Sequence, residues 1–115
     1  MNFIVKGEIS IETDSGIKIG PKAMELCRLV KKNGSLNTSA RESGMSYSYA
    51  WNLLYKINCQ LEKPLLITRR GGKGGGEAYL TPEGEALLKR FLRIKQEIQK
   101  VIKTKDVKAD TASCD

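Results

Sequence analysis

The most regular apolar pattern in the chain runs from Gly34 to Leu61. Leu36 and Ala40 stand four apart, and beyond Gly44 the residues Ala50, Leu54, Ile57 and Leu61 follow at intervals of four, three and four. These are the spacings of one helical face. Ser35 and Ser46 precede the two segments as N-caps, and Gly44 supplies the positive φ that ends a helix in a sharp turn. With Met45 as an apolar plug, the pattern predicts a short helix, a tight turn and a longer helix over 46–60: a helix-turn-helix. Small Ala40 and Ala50 let the two helices cross closely. The first turn of the longer helix, Ser46, Tyr47, Ser48 and Tyr49, carries hydroxyls and rings on its free face. Such groups read base edges and hold phosphates.

Upstream, residues 4 to 12 alternate, with Ile9 and Ile11 on one side and Glu8, Ser10 and Glu12 on the other. After Asp14-Ser15-Gly16 a second alternation, Ile17-Lys18-Ile19, predicts an N-terminal β-hairpin. Pro21 sits where a helix begins. Ala23, Leu26, Cys27 and Val30 then form a stripe that Asn33-Gly34 stops, which makes three consecutive helices.

Downstream, Glu62-Lys63-Pro64 breaks the chain before a short β-prone run, Leu65 to Arg70. Gly71 to Gly76 is glycine apart from Lys73, and Glu77 to Leu80 returns as the partner strand. The pair predicts a hairpin with a basic tip, a wing over 69–77. Its glycines serve either backbone approach to a phosphate ridge or a merely permissive loop; Arg69, Arg70 and Lys73 favour the former, as a clamp on a duplex backbone. Lys73 is followed by glycine rather than Ser or Thr, so the run is not a nucleotide-binding loop.

Thr81-Pro82 opens the last helix, expected over about 82–103. Leu87, Phe91, Ile94, Ile98 and Val101 recur at four, three, four and three, a heptad seam that Leu88, Leu92 and Ile102 widen. A helix of that length spans roughly 33 Å, more than a small core covers. A second copy of the chain is the expected partner, with those five residues as the dimer interface; the alternative is a helix folded back across the N-terminal hairpin in a monomer. From Thr104 onward the sequence is small, polar and non-periodic, and 104–115 reads as a disordered tail.

Composition narrows the function. In 115 residues there is room for one domain, here 1–103, and 20 Lys and Arg against 13 Asp and Glu give a charge of +7. A polyanionic partner is favoured, double-stranded DNA first and an anionic membrane surface well behind. No apolar run is long enough to span a bilayer, and Met1 to Val5 is too short for a signal peptide, so a soluble cytoplasmic protein is expected. Histidine is absent, which removes His-ligated zinc, His bases and His-activated nucleophiles. The acids are scattered singly. No enzyme, metal or cofactor is indicated. Cys27, Cys59 and Cys114 form no CxxC pair, which suits a reducing compartment, and two of them read as core or near-core thiols.

The order hairpin, three helices, wing, long helix, with Gly44-Met45-Ser46-Tyr47, then Ala50-Trp51 and Asn58, resembles the N-terminal DNA-binding domain of molybdate-responsive (ModE-type) transcriptional regulators. Gly20-Pro21, the GGKGGG tip and Leu80-Thr81-Pro82-Glu83-Gly84 strengthen the likeness, which covers about Val5 to Lys103; the Leu-Thr-Pro-x-Gly piece is shared with the LysR-type helix-turn-helix. The resemblance implies a mainly α winged helix-turn-helix with small β elements, acting as a homodimer on operator DNA. Members of that family carry molybdate-binding domains after this part, so molybdate binding is not expected of the residues here. Thr38-Ser39-Ala40-Arg41 looks like the oxyanion-binding stretch of those domains, yet it falls in the first helix of the helix-turn-helix, where Ala40 is needed for packing.

With the 46–60 helix entering the major groove N-terminus first, Ser46, Tyr47, Ser48, Tyr49 and Asn52 face the bases, and Asn52 suits a bidentate bond to adenine. The competing expectation for the tyrosines is burial against a neighbouring helix. Lys56 reaches a phosphate; Asn37, Thr38 and the amides at the front of their helix meet the backbone. Arg41 either does the same or pairs with Glu42 or another acid, and Trp51 is read as packing. The rival from another class is a winged-helix interaction or scaffold module without specific DNA binding; a third reading is single-stranded RNA stacked on Tyr47 and Tyr49.

Overall fold

The computed structural model describes residues 2–69, 76–105 and 107–108. Three helices, a strand pair and a long closing helix surround one apolar core. Helix α1 spans Pro21–Asn33, α2 Leu36–Glu42 and α3 Tyr47–Gln60. Each boundary has a local cause. Gly34 (φ 68°) ends α1 with its N–H bonded to the Val30 carbonyl at 2.8 Å. Ser35 and Ser46 accept from the amides of Thr38 (3.2 Å) and Tyr49 (3.1 Å). Gly44 (φ 74°) makes the turn, and the Met45 amide bonds back to the Ala40 carbonyl at 2.8 Å.

The core gathers Ala23, Met24, Leu26, Cys27 and Val30 of α1, Leu36 and Ala40 of α2, and Ala50, Leu54 and Ile57 of α3. Leu65, Leu66, Ala78, Leu88 and Phe91 close it from the wing side. Ala40 and Ala50 are almost fully buried, as a close helix crossing requires.

Ahead of α1 lie β1 (Asn2–Phe3), β2 (Ile11–Glu12) and β3 (Lys18–Ile19), of which β3 pairs antiparallel with β2 around a turn at Gly16. The expected hairpin is therefore shorter than the alternation of residues 4 to 12 predicts. Residues 4 to 9 instead run along the distal half of α4 (Pro82–Lys103): a Cβ on Gly7 would lie 3.1 Å from Ile102 Cδ1, and a cavity of about 700 Å³ is shared by Ile4, Val5, Gln99 and Ile102. Alternation reports which side is apolar, not which element covers it. Past α4, Val107–Lys108 pairs with β1, where the sequence predicted a structureless tail; residues 106 and 109–115 lie outside the described residues.

The wing strands, β4 (Leu66–Arg69) and β5 (Glu77–Leu80), pair antiparallel with Arg69 opposite Glu77 and Leu66 opposite Leu80. Side chains alternate across them, so Leu66 and Ala78 turn inward while Ile67, Tyr79, Arg69 and Glu77 are exposed. The Ala78 amide also bonds the Gly34 carbonyl at 3.0 Å, tying the wing to the α1–α2 junction.

The Leu80-Thr81-Pro82-Glu83-Gly84 string has a clear structural role. The Thr81 hydroxyl donates to the Pro64 carbonyl at 2.6 Å and accepts from the Gly84 amide at 3.0 Å, capping α4 while fixing the entrance to β4. Of the heptad seam, Phe91 is buried in the chain's own core, Leu87 and Ile98 are half-buried, and Ile94 and Val101 are exposed.

Candidate nucleic-acid interface

Helix α3 has one buried face and two distinct exposed flanks. Ala50, Leu54 and Ile57 point inward, so at 100° per residue Ser48 and Asn52 stand directly opposite, in solvent. Tyr47, Trp51 and Tyr55 follow at intervals of four along the flank beside the wing; Tyr49 lies on the flank beside α1. Tyr47, Tyr49 and Tyr55 are all about half exposed, so the expected face of the first turn is free rather than covered by a neighbouring helix. Ser46 is exposed but its hydroxyl caps the helix. Lys56 is exposed.

Between α3 and the wing lies a cleft of about 450 Å³, lined by Tyr47, Ser48, Trp51 and Asn52 on one side and by Thr68, Arg69, Gly76 and Glu77 on the other. Trp51 was expected to pack, with Leu53 and Tyr55 extending the contact. It stacks on Tyr55 with ring centroids 4.8 Å apart and planes 11° from parallel, forming a wall of this cleft with 36 % of its surface exposed. Leu36, Leu54 and Leu66 of the core and Thr68 of the wing surround it. Cys59, one turn beyond Tyr55, raises the phenol above its ordinary pKa, through a side-chain hydrogen bond first and Coulombic interaction second.

The wing's placement depends on a residue whose structural role sequence reasoning missed. Asn58 accepts from the Leu65 amide and donates to the Leu66 carbonyl, both at 3.0 Å, and so locks the end of α3 to the start of β4. A polar residue near the buried face of a helix was the available signal. Arg69 is exposed at the far end of that strand, its guanidinium 5.6 Å from the centroid of the Tyr79 ring. Arg70 and Lys73 lie outside the described residues.

At the front of α2, Asn37 is exposed and Thr38 half-buried, but the Thr38 amide is already bonded to Ser35 Oγ. Ser39 is fully buried; its hydroxyl donates to the Ser35 carbonyl at 2.6 Å and accepts from Asn33 at 3.3 Å. Arg41 is exposed, and Glu42 pairs with Lys32 (3.9 Å) instead of with it.

Charge is distributed unevenly. Lys31, Lys32 and Lys63 are paired with Glu85, Glu42 and Glu83, whereas α3 holds no acidic residue. The Arg28 guanidinium holds Glu25 below the usual carboxylate range by a side-chain hydrogen bond, against the opposing effect of partial burial. Cys27 is buried, and desolvation pushes its thiol up to about 12. Of the three cysteines, two of which were expected in or near the core, Cys27 is buried and Cys59 exposed; Cys114 lies outside the described residues. Among the described residues no three His, Cys, Asp or Glu side chains cluster to hold a metal, and no helix is long and apolar enough to cross a membrane.

No family model matches the chain. Among curated proteins it is similar to the molybdenum-pterin-binding protein MopB of Rhodobacter capsulatus, 34 % identical over 76 % of the chain and 33 % of that protein. It is 36 % identical to the DNA-binding transcriptional dual regulator ModE of Escherichia coli K12, over 70 % of the chain and 30 % of the relative. The transcriptional regulator ModE of Haemophilus influenzae is 34 % identical over 72 % of the chain and 32 % of its own length. The matched stretch thus spans about a third of each of these relatives.

Proposed function

We propose that this chain, which belongs with the ModE-type regulators it is similar to in sequence, binds double-stranded DNA sequence-specifically as a homodimeric transcriptional regulator. The observation that carries the reading is the acid-free exposed face of α3, with Ser48 and Asn52 at its crest and aromatic rings on both flanks, set beside the wing. A helix of this width fits the major groove of B-DNA, where an exposed amide such as Asn52 can pair with the N6 and N7 edge of adenine. Ser46, Tyr47, Ser48 and Tyr49 form the leading turn. Lys56, Asn37, Thr38, Arg69, Arg70 and Lys73 serve the phosphates, the last three from the wing.

The proposed dimer is read from α4, on the part of it that residues 4 to 9 leave uncovered. Ile94 and Val101 stand exposed on the same seam as half-buried Leu87 and Ile98, an apolar stripe that a second copy covers; Phe91 supports it from within the core. Two copies with recognition helices about 34 Å apart read a palindromic site. The Thr38–Arg41 stretch is assigned to packing rather than to an oxyanion, because the Ser39 hydroxyl is buried and already bonded; equilibrium dialysis with molybdate checks this.

Retardation of mixed genomic duplex fragments in modest salt tests the function. Binding that weakens steeply with salt, and that duplex competes better than single strand, is the expected result. A scaffold module would show no salt-dependent retardation, and an RNA-binding one would prefer the single strand.

A further inference from the structure

The flank of α3 away from the wing carries a cation that none of the readings above uses. Lys22, in the first turn of α1, places its ammonium 5.6 Å from the centroid of the Tyr49 ring. At that range the ring's negative face attracts the cation and limits where the flexible side chain goes. Tyr49 stands on the leading turn of α3, half exposed, so the ammonium is held at the rim of the surface described above. Lys22 has no carboxylate partner among the described residues. The nearest acid along α1, Glu25, is taken by Arg28 through two hydrogen bonds. Lys31, Lys32 and Lys63 each stand within salt-bridge distance of a glutamate, whereas Lys22 is set over a ring of α3 instead.

We infer that Lys22, positioned by the Tyr49 ring, is a binding site for a phosphodiester of the DNA backbone, on the side of the recognition helix opposite the wing. It rests on the duplex-binding reading and deepens it. With Arg69 held over Tyr79 on the wing, a tyrosine-steadied cation then stands on each side of α3, and the two strands bordering one groove are gripped separately. An unpaired ammonium already fixed over a ring loses less freedom on meeting a phosphate than a freely moving one.

The test is the salt dependence of binding to a pool of random-sequence duplexes, with the unsubstituted protein and Lys22→Gln, Tyr49→Leu and Lys89→Gln. Lys89 is an exposed lysine on α4 and controls for net charge. Lys22→Gln is expected to lower the slope of log K against log salt by about 0.9 for each copy bound, weakening all duplexes alike. Tyr49→Leu should weaken binding while leaving the slope closer to that of the parent, since the charge remains. An unchanged slope for Lys22→Gln, or an equal loss for Lys89→Gln, overturns the inference while leaving the duplex-binding reading intact. Absence of salt-dependent binding by the unsubstituted protein overturns both.

Discussion

Gly84 packs its bare α-carbon onto the carbonyl of Leu65, so closely that a Cβ built there would lie 2.0 Å from the oxygen. Leu65 leads into the wing and Gly84 belongs to the first turn of α4, so the contact welds the reading half of the domain to its long helix. Gly84→Ala is expected to destabilise the fold. Helix propensity alone favours alanine by about 1 kcal/mol. The obstacle is backbone, not a movable side chain, and overpacking of that kind costs about 1–3 kcal/mol or more. A fall in the urea midpoint of the variant checks the balance; an unchanged or raised midpoint would mean the junction yields easily.

Asn58 presents a second weld. Asn58→Leu leaves the Leu65 amide and the Leu66 carbonyl without their side-chain partners. With about 1–3 kcal/mol for a buried group left unsatisfied, a loss of roughly 2 kcal/mol is expected. Amide exchange should quicken at Leu65 and in β4 before it does in α1. Uniform acceleration through the whole chain would instead indicate global weakening.

Asn52 and Lys73 separate readout from grip. Asn52→Ala is expected to reduce discrimination between preferred and random duplexes by about 1–3 kcal/mol with little change in salt slope. Lys73→Ala should weaken every duplex similarly and lower the slope by about one. Parallel titrations at several salt concentrations distinguish them. If neither variant differs from the parent, α3 and the wing do not dock as proposed.

Glu25 links the fold to pH. Its folded pKa lies below the ordinary value because Arg28 bonds its carboxylate. The unfolded chain therefore takes up the proton more readily, and the pair's contribution is present above the unfolded carboxylate value near 4.5 and is lost as pH falls through the folded one. Glu25→Gln should be slightly less stable than the parent at pH 7, and the gap should close in acid. The side chains are partly exposed, so the effect is small. A gap that persists below the folded pKa would assign it to packing.

The thiols should differ in reactivity. Cys27, buried with its pKa pushed up to about 12, holds almost no thiolate at neutral pH, while Cys59 meets solvent. Brief treatment with an alkylating reagent, followed by peptide mapping, is expected to label Cys59 and spare Cys27 until the protein unfolds. Early labelling of Cys27 would reveal local opening of α1 against the core.

What was legible in the sequence was what short-range chemistry determines. Ser35, Gly44, Ser46 and Thr81 mark their own boundaries, and the spacing of Ala50, Leu54 and Ile57 fixes by exclusion which residues of α3 face outward. Contacts between distant residues left weaker marks. Trp51 neighbours the core stripe along the chain and shares a cavity with core Leu36 and Leu54, but its approach to Thr68 across a cleft left no mark in the sequence. Nothing in the stretch around Lys22 points to Tyr49. It was the length of the last helix, through the alternative of its folding back across the N-terminal segment, and not the alternation of residues 4 to 9, that pointed to α4 as their neighbour. Gly84 was legible as part of a motif, but not the carbonyl that requires it.

The bond from Ala78 to Gly34 ties the second strand of the finger to the knuckle between the first two helices, while Asn58 ties its first strand to the rod that carries Ser48 and Asn52. Finger, knuckle and rod are therefore bonded into one body. In the proposed dimer, such a body favours tuning occupancy by the pitch between two copies over slackening either one, which makes operator spacing the quantity to vary when looking for control.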